Sequence, residues 1–354
     1  MNTKMNKAVI DNKIPYIKGL AEKLADEVVY LPGAEITAKD VKDADILIVR
    51  TRTRCNAELL EGSRVRFIAT ATIGYDHLDV DYLEKAGIRW TNCPGCNATS
   101  VGQYVRNSLL LWAMEKKVSL SDLCVGIVGV GNVGRAVHAA LQPLGCRILL
   151  NDPPRAAAEG AAGFSTLAEL QTQCDVITIH TPLTLSGPHP TFHLFNDAVL
   201  HHLSRRPLLI NCGRGEVVDN EALEAALDEG RIAQAIIDTW ENEPDIRLSL
   251  LEKVYLGTPH IAGYSADGKA NATRMSLEAV RDYLLLHDDL GKERNETLKS
   301  MTFKIDLPEA HLPSSARSPE LALYNPQDDS ERLKKQPQLF EKLRGDYPLR
   351  REQT

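Results

Sequence analysis

Short aliphatic and β-branched runs alternate with helix-length amphipathic stretches from the start of the chain. Lys7 to Asp11, Val28 to Leu31, Ile46 to Arg50, Phe67 to Thr70 and Ile88 to Thr91 have the length and branching of strands, and segments such as Ile17 to Ala25 carry apolar residues at helical spacing. Apolar strands separated by helices predict a parallel sheet covered on both faces. Near Asn97 the pattern changes to one long helix, in which Val101, Tyr104, Val105 and Trp112 recur near the 3.6-residue period up to about Lys116. A second strand series follows at Cys124 to Gly129, Arg147 to Asn151, Asp175 to His180, Pro207 to Asn211, Ala233 to Asp238 and Val254 to Leu256, again with helices between. Roughly Ser265 to His287 then reads as a helix with Met275, Leu277, Val280, Tyr283 and Leu284 on one face, returning the chain to the first domain.

The texture shifts at about Gly291, where Pro308, Pro313, Pro319, Pro326, Pro337 and Pro348 punctuate short charged segments. Polarity and proline alone suit a disordered tail. Against that, Met301, Phe303, Ile305 and Leu307 alternate strictly, and Leu321, Leu323, Tyr324, Leu339, Phe340, Leu343 and Tyr347 follow. The expectation is a small appended domain that completes its core against a partner subunit. The expected division is 1–97 with 264–290 as a substrate domain, 98–263 as a nucleotide-binding domain, and 291–354 as the appended domain.

Composition narrows the function classes. The 354 residues exceed one core of typical size, and 43% apolar with 25% charged residues is ordinary for a globular chain. A net charge of −7 argues against a general nucleic-acid binder, so an anionic substrate needs a local basic pocket. The chain has neither an apolar run of bilayer length nor a signal-peptide core near Met1, so no membrane partner and a cytoplasmic location are expected. Seven cysteines, an odd and scattered count, suit reduced and mostly buried thiols. Cys93-Pro-Gly-Cys96 lacks the second ligand pair a zinc site needs, and no metal is expected.

The strongest chemical signal is Gly129-Val130-Gly131-Asn132-Val133-Gly134, set between an apolar strand and the helix that carries Val137 and Leu141. In that context the first glycine allows a tight turn and the second lets backbone approach a pyrophosphate. The third lets helix and strand pack closely, and the helix start offers free amides to phosphate. Asp152, after the next strand, stands where a ribose-binding acid belongs, which favours NAD over NADP; Arg155 nearby pulls the other way. Further on, Asn211-Cys212-Gly213-Arg214-Gly215 puts one arginine in a turn beyond an apolar strand, where open α/β sheets bind ligands. Its guanidinium can hold a carboxylate with two parallel hydrogen bonds. The next strands end at Trp240-Glu241-Asn242-Glu243-Pro244 and at Thr258-Pro259-His260. Oxidising an alcohol needs a base for the hydroxyl proton, and a histidine titrates near working pH. A carboxylate beside it would orient the ring and raise its pKa, and Glu243 is the choice for that partner. His77 and His180 read as packed residues. Arg50, Arg52 and Arg54 could share one face of an extended segment and meet a phosphate, or form a solvated charge run.

This order of a glycine-rich dinucleotide turn, a Gly-Arg-Gly turn, an acid before proline and a Pro-His pair resembles the D-2-hydroxyacid dehydrogenases over residues from about 7 to 290. A narrower likeness, to a branch that acts on a phosphorylated four-carbon acid, rests on residues 70–77 and 93–98, Asp152-Pro153-Pro154-Arg155, His180-Thr181-Pro182-Leu183, His260-Ile261-Ala262-Gly263-Tyr264, and 324–348. The resemblance implies two doubly wound parallel-sheet domains, one flavodoxin-like for substrate and one Rossmann for NAD, plus a small C-terminal α+β domain that makes a homodimer. It implies Arg214, Glu243 and His260 as the catalytic set. Gly129, Gly131, Asn132, Val133, Gly134, Asp152, Thr181, Cys212, Gly213, Arg214, Asp238 and Gly263 would lie near NAD, and Thr51, Thr72 and Tyr264 near substrate. The implied reaction is oxidation of 4-phospho-D-erythronate in the route to pyridoxal 5′-phosphate. Gln103 departs from the family's more usual Glu, as does Thr51 from Ser. Residue reading alone leaves open another small hydroxy acid, such as 3-phosphoglycerate or glycerate, or an NAD-sensing scaffold without turnover.

Overall fold

A computed structural model describes residues 6–287, 291–307 and 319–352. Pro308 and Pro313 lie outside the described residues. Two compact units emerge, one comprising 1–96 with 266–308 and the other 97–265 with 309–354.

In the first unit, strands β1 (Lys7–Asp11), β2 (Glu27–Leu31), β3 (Ile46–Val49), β4 (Phe67–Thr70) and β5 (Arg89–Thr91) form one sheet in the order β2-β1-β3-β4-β5. Every pairing is parallel. β3 and β4 are buried along their whole length, as central strands covered on both faces must be, which explains the aliphatic run of β3 and the mostly apolar one of β4. The helix Ala266–His287 lays Leu277, Val280, Tyr283 and Leu284 into this core, with Tyr283 stacked on Phe67 at 4.6 Å.

In the second unit, β6 (Cys124–Val128), β7 (Arg147–Asn151), β8 (Val176–Ile179), β9 (Leu208–Asn211), β10 (Gln234–Ile237) and β11 (Leu256–Gly257) are ordered β11-β10-β9-β8-β6-β7, again all parallel. The chain reverses direction across the sheet at β6, between β7 and β8, so the end of β6 is the switch point at which such sheets take ligands. The glycine-rich turn lies there. The long helix Ala98–Lys116 buries Tyr104, Val105, Leu109 and Trp112 against this sheet's core.

The region expected as one appended domain is divided between the units. The helix Gly291–Ser300 and the stretch after it place Leu298 and Phe303 in the first core. The helices Pro326–Lys335 and Phe340–Gly345 place Leu333 and Phe340 in the second. Among the described residues beyond 290 there are helices but no strand ladder; Arg350 makes one isolated bridge to Ser265. The alternating stretch from Met301 to Leu307 forms no strand, and its Phe303 is buried in the first core by packing rather than by a sheet edge.

Candidate active site

The dinucleotide turn is built by steric necessity. Gly129 has φ +84°, and a Cβ there would meet the His180 carbonyl and Thr181 Cγ2 at 2.9 Å. A Cβ on Gly134 would run into the Gly129 carbonyl oxygen, so the helix can start this close to the strand only with glycine. Gly131, by contrast, faces open space, leaving room where a pyrophosphate would lie. It precedes the helix Asn132–Leu141, and no side chain caps that helix. Its first amides are therefore available to an anion. Asn132 is exposed and accepts from Arg135 at 2.8 Å, while Val133 packs against the core.

Asp152 binds the turn itself: Oδ2 accepts from the Val130 amide at 2.8 Å and Oδ1 from the Arg155 amide at 3.1 Å. Arg155 is engaged elsewhere, donating to the Val130 carbonyl at 2.7 Å and pairing with Glu159 at 2.7 Å. These bonds leave Arg155 already occupied beside Asp152. Thr181 carries a buried hydroxyl without a hydrogen-bond partner among the described residues, and Gly213 packs on the Thr181 carbonyl. These features, an orphan hydroxyl and an open cradle at a helix start, fit an adenine dinucleotide. Burial pushes the Cys212 thiol well above its ordinary pKa, helped by the Asp238 charge.

Glu243 and His260 come together across two strand ends, with His260 Nδ1 and Glu243 Oε2 2.9 Å apart. The second carboxylate oxygen, Oε1, accepts from the Trp240 amide at 2.9 Å. Burial alone would raise the Glu243 carboxyl, but the His260 bond and charge, the Trp240 amide and Arg344 outweigh it and hold it below its usual range. His260 has φ +56°, a conformation rarely populated by a residue with a side chain, which identifies a tightly held loop. Asp238 is buried beneath that loop, where Oδ1 accepts from the Ile261 amide at 2.8 Å and the Thr258 hydroxyl at 2.7 Å, and Oδ2 from the Ala262 amide at 3.0 Å. Burial raises its carboxyl against these bonds. Gly263 abuts the Asn97 side chain, which a Cβ would strike.

Arg214 lies beyond β9, exposed, with Nη1 donating to the Gly213 carbonyl at 2.9 Å. Tyr264 is half-buried and meets the Tyr347 ring edge-on at 6.1 Å. In the first unit, Thr51 sits exposed in a turn, and Thr72 donates to the Gly74 carbonyl at 2.9 Å and bonds Thr70 at 2.7 Å. The strand β3 stops at Val49, so Arg50, Arg52 and Arg54 are on a turn and the expected alternation on one extended face does not hold; Arg50 donates to the Lys13 carbonyl at 3.0 Å.

Both packed histidines are enclosed. His77 bonds Thr70 at 2.9 Å, and burial lowers its pKa. His180 bonds Thr178 at 2.9 Å, and burial lowers its pKa to about 3. Cys93 lies against the Ser276 hydroxyl at 3.4 Å, its thiol raised by burial. Among the described residues, His193, Asp219 and Glu241 form the one cluster with cation-like spacing. Asp219 and Glu241 already accept the amides at the start of the helix Asn220–Asp228, and His193 lies between them, 2.6 Å from Glu241 and 3.5 Å from Asp219.

Two arginines escaped the sequence reading. Arg344, in the helix Phe340–Gly345, stands 3.5 Å from Glu243 Oε2 and hydrogen-bonds the Tyr264 side chain. Arg350 grips the loop after His260. Neither carries a local signal, since both sit among tail charges indistinguishable from a solvated run.

Residues 100–262 match the family model described as D-isomer specific 2-hydroxyacid dehydrogenase, NAD binding domain. Over 351 residues the chain is 52% identical to the erythronate-4-phosphate dehydrogenase of Bacteroides thetaiotaomicron, covering 98% of this chain and 97% of that one. Identity to the enzyme of the same name from Escherichia coli O127:H6 is 40% over 354 residues, covering 98% and 92%. Among solved structures, a D-lactate dehydrogenase from Aquifex aeolicus complexed with NAD and lactic acid is similar at a TM-score of 0.60 and 24% identity, over 82% of this chain and 98% of that one. A glyoxylate/hydroxypyruvate reductase from Sinorhizobium meliloti, in complex with NADP and malonate, gives 0.60 and 26% over 80% and 95%.

Proposed function

The chain belongs to the erythronate-4-phosphate dehydrogenase family of the D-isomer specific 2-hydroxyacid dehydrogenases, and from that premise we propose that it oxidises 4-phospho-D-erythronate to 3-hydroxy-2-oxo-4-phosphobutanoate, an early step toward pyridoxal 5′-phosphate. The observation that carries the chemistry is the 2.9 Å bond between His260 Nδ1 and Glu243 Oε2. NAD, when bound, supplies the acceptor for the hydride that leaves the alcohol carbon.

The chain's own residues do the rest. An ionised Glu243 can only accept, so His260 carries its proton on Nδ1 and presents the lone pair of Nε2. That nitrogen takes the hydroxyl proton as the carbon–hydrogen bond breaks, and the imidazolium formed stays paired with the carboxylate. Two electrons leave with the hydride and one proton stays on His260, which balances the oxidation. Arg214 offers a planar fork for the substrate carboxylate, fixing which face of the alcohol carbon is presented. Asp152 would hold the ribose hydroxyls and the amides after Gly131 the pyrophosphate; Thr181, the Cys212–Arg214 turn and Gly263 would lie near the cofactor, with Asp238 holding the loop after His260 from beneath. Thr51, Thr72 and Tyr264 are assigned to substrate contact on family resemblance.

Comparing kcat/KM for 4-phosphoerythronate, 3-phosphoglycerate and glycerate tests the substrate. A preference for an unphosphorylated acid overturns it, and NAD binding without turnover of any 2-hydroxy acid favours a scaffold instead. We also propose a cytoplasmic homodimer joined through 291–354. Sedimentation of the full chain across a hundredfold concentration range tests the dimer, and a monomer throughout refutes it. Truncation near Gly291 is a poor test, because it strips Leu298, Phe303, Leu333 and Phe340 from the cores.

A further inference from the structure

We propose that Arg350 is a positioning residue for His260, so that residues far along the chain form part of the catalytic scaffold. This rests on the dehydrogenase reading above.

The backbone at His260 is held at φ +56°, a strained conformation that persists only where the surroundings over-determine it. The loop that follows is gripped from two sides by opposite charges. Its amides, at Ile261 and Ala262, point to the buried Asp238 carboxylate. Its carbonyls point to the Arg350 guanidinium: Nη1 donates to Ile261 at 3.0 Å and Tyr264 at 2.8 Å, and Nη2 to Ala262 at 2.5 Å. The remaining donors tie the same group to the start of the long helix, Nη2 to the Ser100 hydroxyl at 2.9 Å and Nε to Gln103 Oε1 at 3.1 Å. Tyr324 covers its face, with the guanidinium carbon 4.0 Å from the ring centroid.

Arg350 is only 7% exposed, and its hydrogen-bond partners among the described residues are carbonyls, hydroxyls and an amide rather than a carboxylate. A cation buried on such terms is costly, and its geometry explains what it does. A rigid fork with five donors can fix three carbonyls of one loop relative to a helix; an ammonium, with three donors on one atom, cannot. Gln103 then has a function in this chain as the acceptor that aims Nε, and Glu at that position would add a charge to a site already balanced against Asp238. The same extension brings Arg344 beside Glu243, so both members of the acid–base pair lean on it.

The test uses the full chain with Arg350→Lys and Arg350→Ala. Single-turnover formation of reduced nicotinamide is expected to slow at least tenfold per folded molecule, while KM for NAD stays within about twofold. The pH midpoint of that rate should move, and added guanidinium ion should restore part of the rate to Arg350→Ala but not to Arg350→Lys. A folded Arg350→Lys chain with wild-type rate and pH profile overturns the proposal, as does a loss explained wholly by a smaller folded fraction. Should both variants fail to fold, Gln103→Leu removes one anchor only and should slow the rate a few-fold with a shifted midpoint; an unchanged midpoint overturns it. The His260 ring titration, followed by NMR, gives a readout without turnover: an identical curve in wild type and variant refutes the positioning role. Absence of turnover in the wild type refutes the dehydrogenase reading instead.

Discussion

Replacing Glu243 by Gln keeps the shape of the side chain and changes one atom, and the structure fixes which atom matters. The Trp240 amide donates to Oε1 at 2.9 Å, so the new side chain must keep its carbonyl oxygen there. Its NH2 then occupies the place of Oε2, 2.9 Å from His260 Nδ1. An NH2 donates, so the imidazole proton is driven to Nε2, and the nitrogen that should receive the hydroxyl proton has no lone pair to offer. The variant loses general-base catalysis, about 10²- to 10⁴-fold in rate, equivalent to about 3–5 kcal/mol of barrier. Binding should change little, because neither NAD nor the substrate carboxylate is assigned to Glu243. The cost to folding is about 1 kcal/mol, one charge-assisted bond exchanged for a neutral one. Following reduced nicotinamide by absorbance should give kcat down by at least a hundredfold with both KM values within about threefold. Glu243→Asp, which keeps the charge on a shorter arm, should fall in between. A Glu243→Gln chain with kcat within fivefold of wild type would refute the tautomer argument. The depressed Glu243 carboxyl keeps the ring's partner ionised down to below the ordinary carboxylate range, so protonation of Glu243 is not what ends general-base catalysis on the acid side.

Further outcomes follow from the same geometry. Arg214→Lys should lower kcat/KM for substrate about ten- to a hundredfold, the worth of about 1.5–3 kcal/mol for a two-point charged contact, and equal values for both proteins would remove that role. Gly134→Ala should destabilise by about 1–3 kcal/mol through overpacking against the Gly129 carbonyl. Gly131→Ala, open on all sides, should leave the melting temperature unchanged and weaken NAD binding in calorimetry; unaltered affinity would misplace the pyrophosphate. His180 is kept neutral by burial down to about pH 3, whereas the unfolded chain takes that proton near pH 6.5. Between those values the unfolded state binds more protons, so stability is complete above pH 6.5 and falls with pH, by about 2 kcal/mol at pH 5. His180→Asn should flatten that slope in urea denaturation, and a slope unchanged by the substitution would refute the assignment.

The two parallel sheets were legible because strands buried on both faces read as near-continuous apolar runs, as Ile46–Val49 and Leu208–Ile210 do, and because steric rules force glycine at 129 and 134. The order of Arg214, Glu243 and His260 at successive strand ends was equally readable, since topology puts such ends on one edge of a sheet. What the chain order could not reveal was contact made by packing at long range. For Arg50, Arg52 and Arg54 the chain order left a phosphate grip and a solvated run open, and the fold adds only that they follow β3 on a turn rather than on an extended face. The region after Gly291 read as one domain and divides between two cores, because a lone Phe303 or Phe340 goes to whichever apolar surface closes over it. Arg350 is the clearest case. Its meaning depends on carbonyls that lie some 90 positions earlier in the chain and on a helix 250 positions away, and only folding brings those oxygens to a common point where one planar cation can bind them all.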